Sequence, residues 1–120
     1  MTDKTPSVPT TEDAEFIARI QAGMLNDDSV MALADLFRLF GDSTRVRLLW
    51  ALNEGDMCVQ SLSDILGVSV SAVSHQLKLL KDANLVRGRR DGKNVIYSLC
   101  DEHVRYLMST ALIHLRERQQ

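Results

Sequence analysis

Apolar positions recur along this chain with a helical period, and polar or glycine breaks divide them into segments. Phe16, Ile17 and Ile20 share one side of a segment from about 12 to 23, with Thr10 or Thr11 placed to cap it. Asn26 to Ser29 is a polar break with further capping candidates. Val30, Leu33, Leu36, Phe37 and Phe40 then predict a second helix over about 30 to 40, interrupted at Gly41. Asp42 or Ser43 caps a third helix that draws core from Val46, Leu49, Trp50 and Leu52 and ends at Gly55. A short helix over about 59 to 66 presents Leu62, Ile65 and Leu66. After the turn at Gly67, Ser69 caps a helix over about 70 to 82 with Val73, Leu77 and Leu80 inward. The period then changes. Two β-prone runs, about 85–90 and 94–99, flank Asp91-Gly92 and predict a hairpin, and a last helix begins near Asp101.

Helix, glycine turn, helix and basic hairpin, in that order, describe a winged helix-turn-helix: a mainly α fold with a β-hairpin wing. The 120 residues suffice for one compact domain, read as residues 11–120. Residues 1–10 hold both prolines and little to bury, and are expected to form a flexible arm. No basic segment followed by an apolar run opens the chain, and no apolar stretch approaches the ~20 residues of a membrane span. The expected location is cytoplasmic, with no membrane partner. Cys58 and Cys100 are too few for a disulfide framework.

A net charge of −2 argues at first against nucleic acid. Its distribution changes the picture. Residues 75–98 carry Lys78, Lys81, Arg87, Arg89, Arg90 and Lys93 against Asp82 and Asp91, so a locally basic segment rides on an acidic body. With the apolar side of helix 70–82 inward, Ser71, Ser74, His75, Gln76 and Lys78 remain outward, and Ser69 stands at its start. Short hydroxyls and an amide there can approach base edges or phosphates in a major groove. Arg87, Arg89, Arg90 and Lys93 on the hairpin can follow the neighbouring backbone or minor groove. The expected partner is double-stranded DNA.

The segments LFRLFGDSTRVRLLWAL, MCVQSLSDILGVSVSAVSHQLKLLKDANLV and RGRRDGKNVIYSL resemble the ArsR/SmtB family of metal-responsive bacterial repressors over about residues 30 to 118, most specifically through SVSAVSHQLKLLKDANLV. The resemblance implies a homodimer that binds an operator with an imperfect inverted repeat and leaves it on binding an inducer. It places the dimer interface on the first and last helices, here Phe16 and Ile20 with Leu107, Met108, Ala111, Leu112 and Leu115. One family metal site needs Cys-x-Cys before the turn. Here Cys58, Val59 and Gln60 lack the second thiol, and residues 1 to 57 hold neither Cys nor His to supplement it. The tails also lack the His or Cys that nickel sensors of the family add. The other family site is Asp-x-His followed by His-x-x-Glu or His-x-x-His on the last helix, and Asp101, His103, His114 and Glu117 match the Glu variant in full.

Geometry sharpens that match. Eleven residues at 100° each bring His103 and His114 to nearly one helix face, but roughly 16 Å apart along the axis. Zinc–nitrogen bonds are about 2.0–2.1 Å, so one helix cannot close both around one ion. An antiparallel second copy can, setting His103 opposite its partner's His114 and Asp101 near its partner's Glu117, twice by symmetry. Asp101 lies off the histidine face by helical phase and reaches it from the helix start. An apolar stripe of Val104, Leu107, Met108, Ala111, Leu112 and Leu115 suits packing against that partner. Two imidazoles and two carboxylates suit tetrahedral Zn(II), with Co(II) a usual mimic. The expected role is metal-responsive repression, relieved by metal. A thiol sensor of the same fold using Cys58 or Cys100 is the first alternative, and a winged helix without a DNA role the second. An enzyme is more distant: there is no His-Glu-x-x-His helix, phosphate-binding glycine loop or nucleophile elbow, and no small-molecule substrate is expected.

Overall fold

The computed structural model describes residues 11–119. In order they form α1 (Thr11–Ala22), α2 (Asp27–Leu39), α3 (Ser43–Glu54), α4 (Val59–Leu66), α5 (Val70–Asp82), β1 (Val86–Asp91), β2 (Asn94–Leu99) and α6 (Glu102–Arg118). The expected N-terminal arm, and Thr10 as a cap, fall outside the described residues. The chain divides into two compact units, one up to Ala34 and one from Asp35.

In the first unit, α1 carries Phe16, Ile17 and Ile20, all about half exposed, with the Arg19 guanidinium 5.3 Å from the Phe16 ring centre. The second helix starts three residues before its expected position. Asn26 Oδ1 accepts the Ser29 N–H at 2.8 Å, and Asp27 and Asp28 occupy the first turn, where carboxylates face the positive end of the helix. Of the capping candidates in this polar run Asn26 serves, and the helix begins directly after it.

The second unit has one core. Leu48, Leu49, Leu52, Leu62 and Leu80 are fully sealed from solvent, with Val73, Leu77, Leu85, Val86, Leu99, Val104 and Met108 around them. Each such side chain contributes about 1.5–3 kcal/mol by leaving water. Caps fix the helix starts: Asp42 Oδ2 accepts from Arg45 N at 3.0 Å and Ser69 Oγ from Ala72 N at 3.0 Å. Caps of this kind are worth about 1 kcal/mol. Gly67, at φ +70°, supplies the left-handed residue that ends α4 and turns the chain into α5.

The hairpin is antiparallel, with Val86 opposite Leu99, Gly88 opposite Tyr97 and Arg90 opposite Val95. Its first strand is shifted one residue from expectation. Asp91 pairs with Asn94, so the loop is Gly92-Lys93 rather than Asp91-Gly92, and Gly92 takes the positive φ of +64°. Leu85 stays outside the strand as buried core, donating its N–H to Leu80 O.

Val46, an expected core residue, is exposed, and so is Ile65 from the apolar set of α4. Val46 and Ile65 border an open apolar groove of about 1040 Å³, shared with Phe40, Trp50, Leu112 and Leu115. Conversely Met108, expected at a dimer interface, is buried in this chain's own core beside Val104. Helical period identifies the apolar side of a helix but not which body covers it.

Candidate nucleic-acid interface and metal-ligand helix

On α5, inward Val73, Leu77 and Leu80 leave Ser71, Ser74, His75 and Lys78 exposed, so these four hold the outer face expected of them. Ser69 is exposed too, although its hydroxyl is engaged as the helix cap. Gln76 differs from expectation. It is half-buried on the flank of the helix, where its Oε1 accepts from Arg45 Nη1 at 3.3 Å. Arg45 is itself anchored, donating from Nε to Leu39 O at 2.9 Å and from Nη2 to Arg38 O at 3.4 Å. Gln76 therefore buttresses α5 against the end of α2, and the outward reading of its amide is corrected.

The pleat separates the basic side chains of the wing. Val86, Gly88 and Arg90 point to the face that also carries Tyr97 and buried Leu99, whereas Arg87 and Arg89 point to the opposite face. All three arginines are exposed, as is Lys93 in the loop. Gly88 is required by close approach: a Cβ there would lie 2.8 Å from Val95 Cγ1 and 3.1 Å from Tyr97 Cε1.

Asp101 is the N-cap of α6, its Oδ1 accepting from His103 N at 2.9 Å and Val104 N at 3.3 Å. The same oxygen lies 3.5 Å from His103 Nδ1. The cap thus turns the Asp101 carboxylate onto the His103 side of the helix, which helical phase alone would not do. His114 and Glu117 are exposed one helix length away. Among the described residues of one chain, no three His, Cys, Asp or Glu side chains come together as a metal site. The four expected ligands are present as two halves, Asp101 with His103 and His114 with Glu117.

The outer side of α6 holds a feature the sequence reading missed. Tyr106 and Ile113 are 66% and 58% exposed, on the side opposite buried Val104 and Met108. At 100° per residue, His103, Tyr106, Ile113, His114 and Glu117 fall within an arc of roughly 100°. Two large apolar residues seven apart, outside the wide apolar stripe, were the available signal. The body side of the helix is anchored by Arg105, whose Nη1 donates to both Asn53 O and Asn53 Oδ1 at 2.8 Å, and whose Nε lies 3.3 Å from Glu102 Oε1.

Both cysteines are free and half-buried. The Cys58 Sγ lies 3.5 Å from Ser61 Oγ, and hydrogen bonding by the Ser61 side chain is the main cause holding its thiol pKa below the ordinary value.

Residues 42–87, from the cap of α3 through α5 into the wing, match the family described as "Bacterial regulatory protein, arsR family". The chain is 40% identical over 103 residues to a "Transcriptional repressor SmtB homolog" of Synechocystis sp., covering 86% of this chain and 78% of that protein. It is 41% identical over 88 residues to a "Cadmium resistance transcriptional regulatory protein CadC homolog" of Staphylococcus aureus, covering 72% and 73%. Its fold resembles the crystal structure of the AntR antimony-specific transcriptional repressor, with a TM-score of 0.71 and 32% identity over 81% of this chain and 89% of that one.

Proposed function

The chain belongs to the arsR family of bacterial regulatory proteins, whose members matched here are regulators and not enzymes, and from that premise we propose that it is a metal-responsive repressor of the zinc-sensing kind. A metal-free homodimer binds an operator with an imperfect inverted repeat through α5 and the wing. Zn(II), with Co(II) as its mimic, binds between two copies of α6 and lowers that affinity. Genes for metal efflux or sequestration are then derepressed. No described helix is long and apolar enough to cross a membrane, and a cytoplasmic location suits the role.

The observation that carries this reading is the outer face of α6. Antiparallel pairing that sets His103 opposite the partner's His114 also brings Tyr106 nearly opposite the partner's Ile113. One pairing therefore covers two exposed apolar side chains and completes two ligand sets. Asp101 and His103 of one protomer would hold the metal with the partner's His114 and the partner's Glu117. Four borderline and hard donors fit tetrahedral zinc and leave no open position for substrate. When bound, the metal supplies a cross-link between the helices. This chain's residues supply the rest: Val104 and Met108 root α6 in the core, and Arg105 fixes it to the end of α3. A difference in metal affinity between the DNA-bound and released forms drives the switch, so DNA weakens metal binding by the same factor.

The test is operator binding followed by fluorescence anisotropy during a zinc titration, then chelation. Release on zinc and rebinding on chelator are expected. A second reading, thiol sensing, is favoured by the lowered Cys58 pKa. Alkylating both cysteines separates the two: an intact zinc response supports the α6 site, and its loss supports the thiol reading.

A further inference from the structure

We infer that a hollow between α5 and β2 is the seat of a DNA backbone phosphate, held by the Lys81 ammonium and the Tyr97 hydroxyl. The inference rests on the DNA-binding reading of α5 and the wing, and assigns to it one ligand group and two residues.

The hollow is about 270 Å³ and is lined by Ser74, Leu77, Lys78, Lys81, Asp82 and Tyr97. Ser74, Lys78 and Lys81 form one row down α5, spaced i, i+4 and i+7. That row borders the outer face through Lys78, which belongs to both. A duplex lying on the outer face presents its phosphates at the groove edge, beside this border. Half to two-thirds of protein–DNA hydrogen bonds go to the phosphate and sugar, commonly from Lys, Ser and Tyr side chains.

The charges select the ligand. Lys78 Nζ lies 3.4 Å from Asp82 Oδ2, so that cation is matched within its own helix. The Lys81 ammonium has no ion pair or hydrogen bond among the described residues. Two lysines against one aspartate leave one net positive charge, which suits the single negative charge of a phosphodiester better than a dianionic free phosphate.

The Tyr97 wall is held firmly. Its backbone N–H donates to Met57 O at 2.8 Å, and its carbonyl accepts from Met57 N at 3.1 Å. Its ring lies across Gly88, where only a missing side chain leaves room. Arg90 shares that face of the wing and adds positive charge nearer the loop.

The experiment compares wild type, K81Q and Y97F for binding to an operator and to a scrambled duplex across salt concentrations, all metal-free. K81Q is expected to weaken both duplexes by a similar factor. It should also flatten the slope of log K against log salt by about 2 for a dimer that loses one phosphate contact per half-site. Y97F removes one neutral donor per half-site, two per dimer, and is expected to weaken binding by about thirtyfold with the slope retained, because a neutral donor releases no counterion. Titration of inorganic phosphate into free wild type and K81Q, followed by NMR, distinguishes a free oxyanion. A wild-type salt slope retained in K81Q overturns the inference, and a K81Q-sensitive phosphate shift alongside it assigns the hollow to a free anion instead. Absence of duplex binding by wild type would overturn the DNA-binding reading itself, a separate outcome.

Discussion

Replacing His103 or His114 with alanine is expected to raise the zinc concentration needed for operator release by about a hundredfold or more, while metal-free operator affinity stays within about threefold. Four-ligand zinc sites bind with about 10–16 kcal/mol in total, so one imidazole is a large share of the whole. Both histidines are exposed, and neither packs in the core, so the fold has little to lose. The two variants should behave alike, since each removes one ligand from both sites of a symmetric dimer. Paired titrations of zinc affinity and operator release check this. Release at the wild-type zinc concentration in both variants would remove α6 as the sensor.

Ile113→Glu is the second large effect. Ile113 is 58% exposed in the single chain, so the substitution leaves the monomer's core intact. In the proposed dimer it loses the burial of an isoleucine, about 1.5–3 kcal/mol, and by two-fold symmetry loses it twice. A carboxylate must also lose water. The dimer dissociation constant is expected to rise by about a thousandfold or more, with operator and zinc affinity falling together. Analytical ultracentrifugation alongside circular dichroism separates dissociation from unfolding. A variant that stays dimeric at micromolar concentration would show that the outer face of α6 is not the contact.

Much of the second unit was legible in the sequence because local signals agree there. Asp42, Ser69 and Asp101 are cap residues at helix starts and act as caps. Gly67 stands where a left-handed residue is needed. The change of period after Asp82 marks the wing. Errors arose where the deciding neighbour is distant or belongs to another body. Within the capping candidates of the polar run, Asn26 is the one that serves, so α2 takes in Asp27 to Ser29 and starts three residues early. Val46 and Ile65 have the right phase for a core but border a groove. Met108 has the right phase for a partner but meets Leu-rich core first. Gln76 looks outward by type, yet Arg45, 31 residues earlier, claims its oxygen. Lys81 and Tyr97 share a wall only once the hairpin folds back on α5, so no single segment displays them together. Of the ligand set, the spacing was visible at once, whereas the turning of Asp101 toward His103 depends on cap geometry.

The split of the ligands into two halves on α6 also has a genetic consequence. A chain lacking His103 and a chain lacking His114 are each defective alone. In a mixed dimer one site loses both of those imidazoles, and the other keeps its full set, His103 from one chain and His114 from the other. Co-expressing the two defective alleles should therefore restore zinc-dependent derepression in part, whereas two copies of either allele should not. Such allelic complementation would show that the sensor belongs to the pair of chains and is encoded whole by neither.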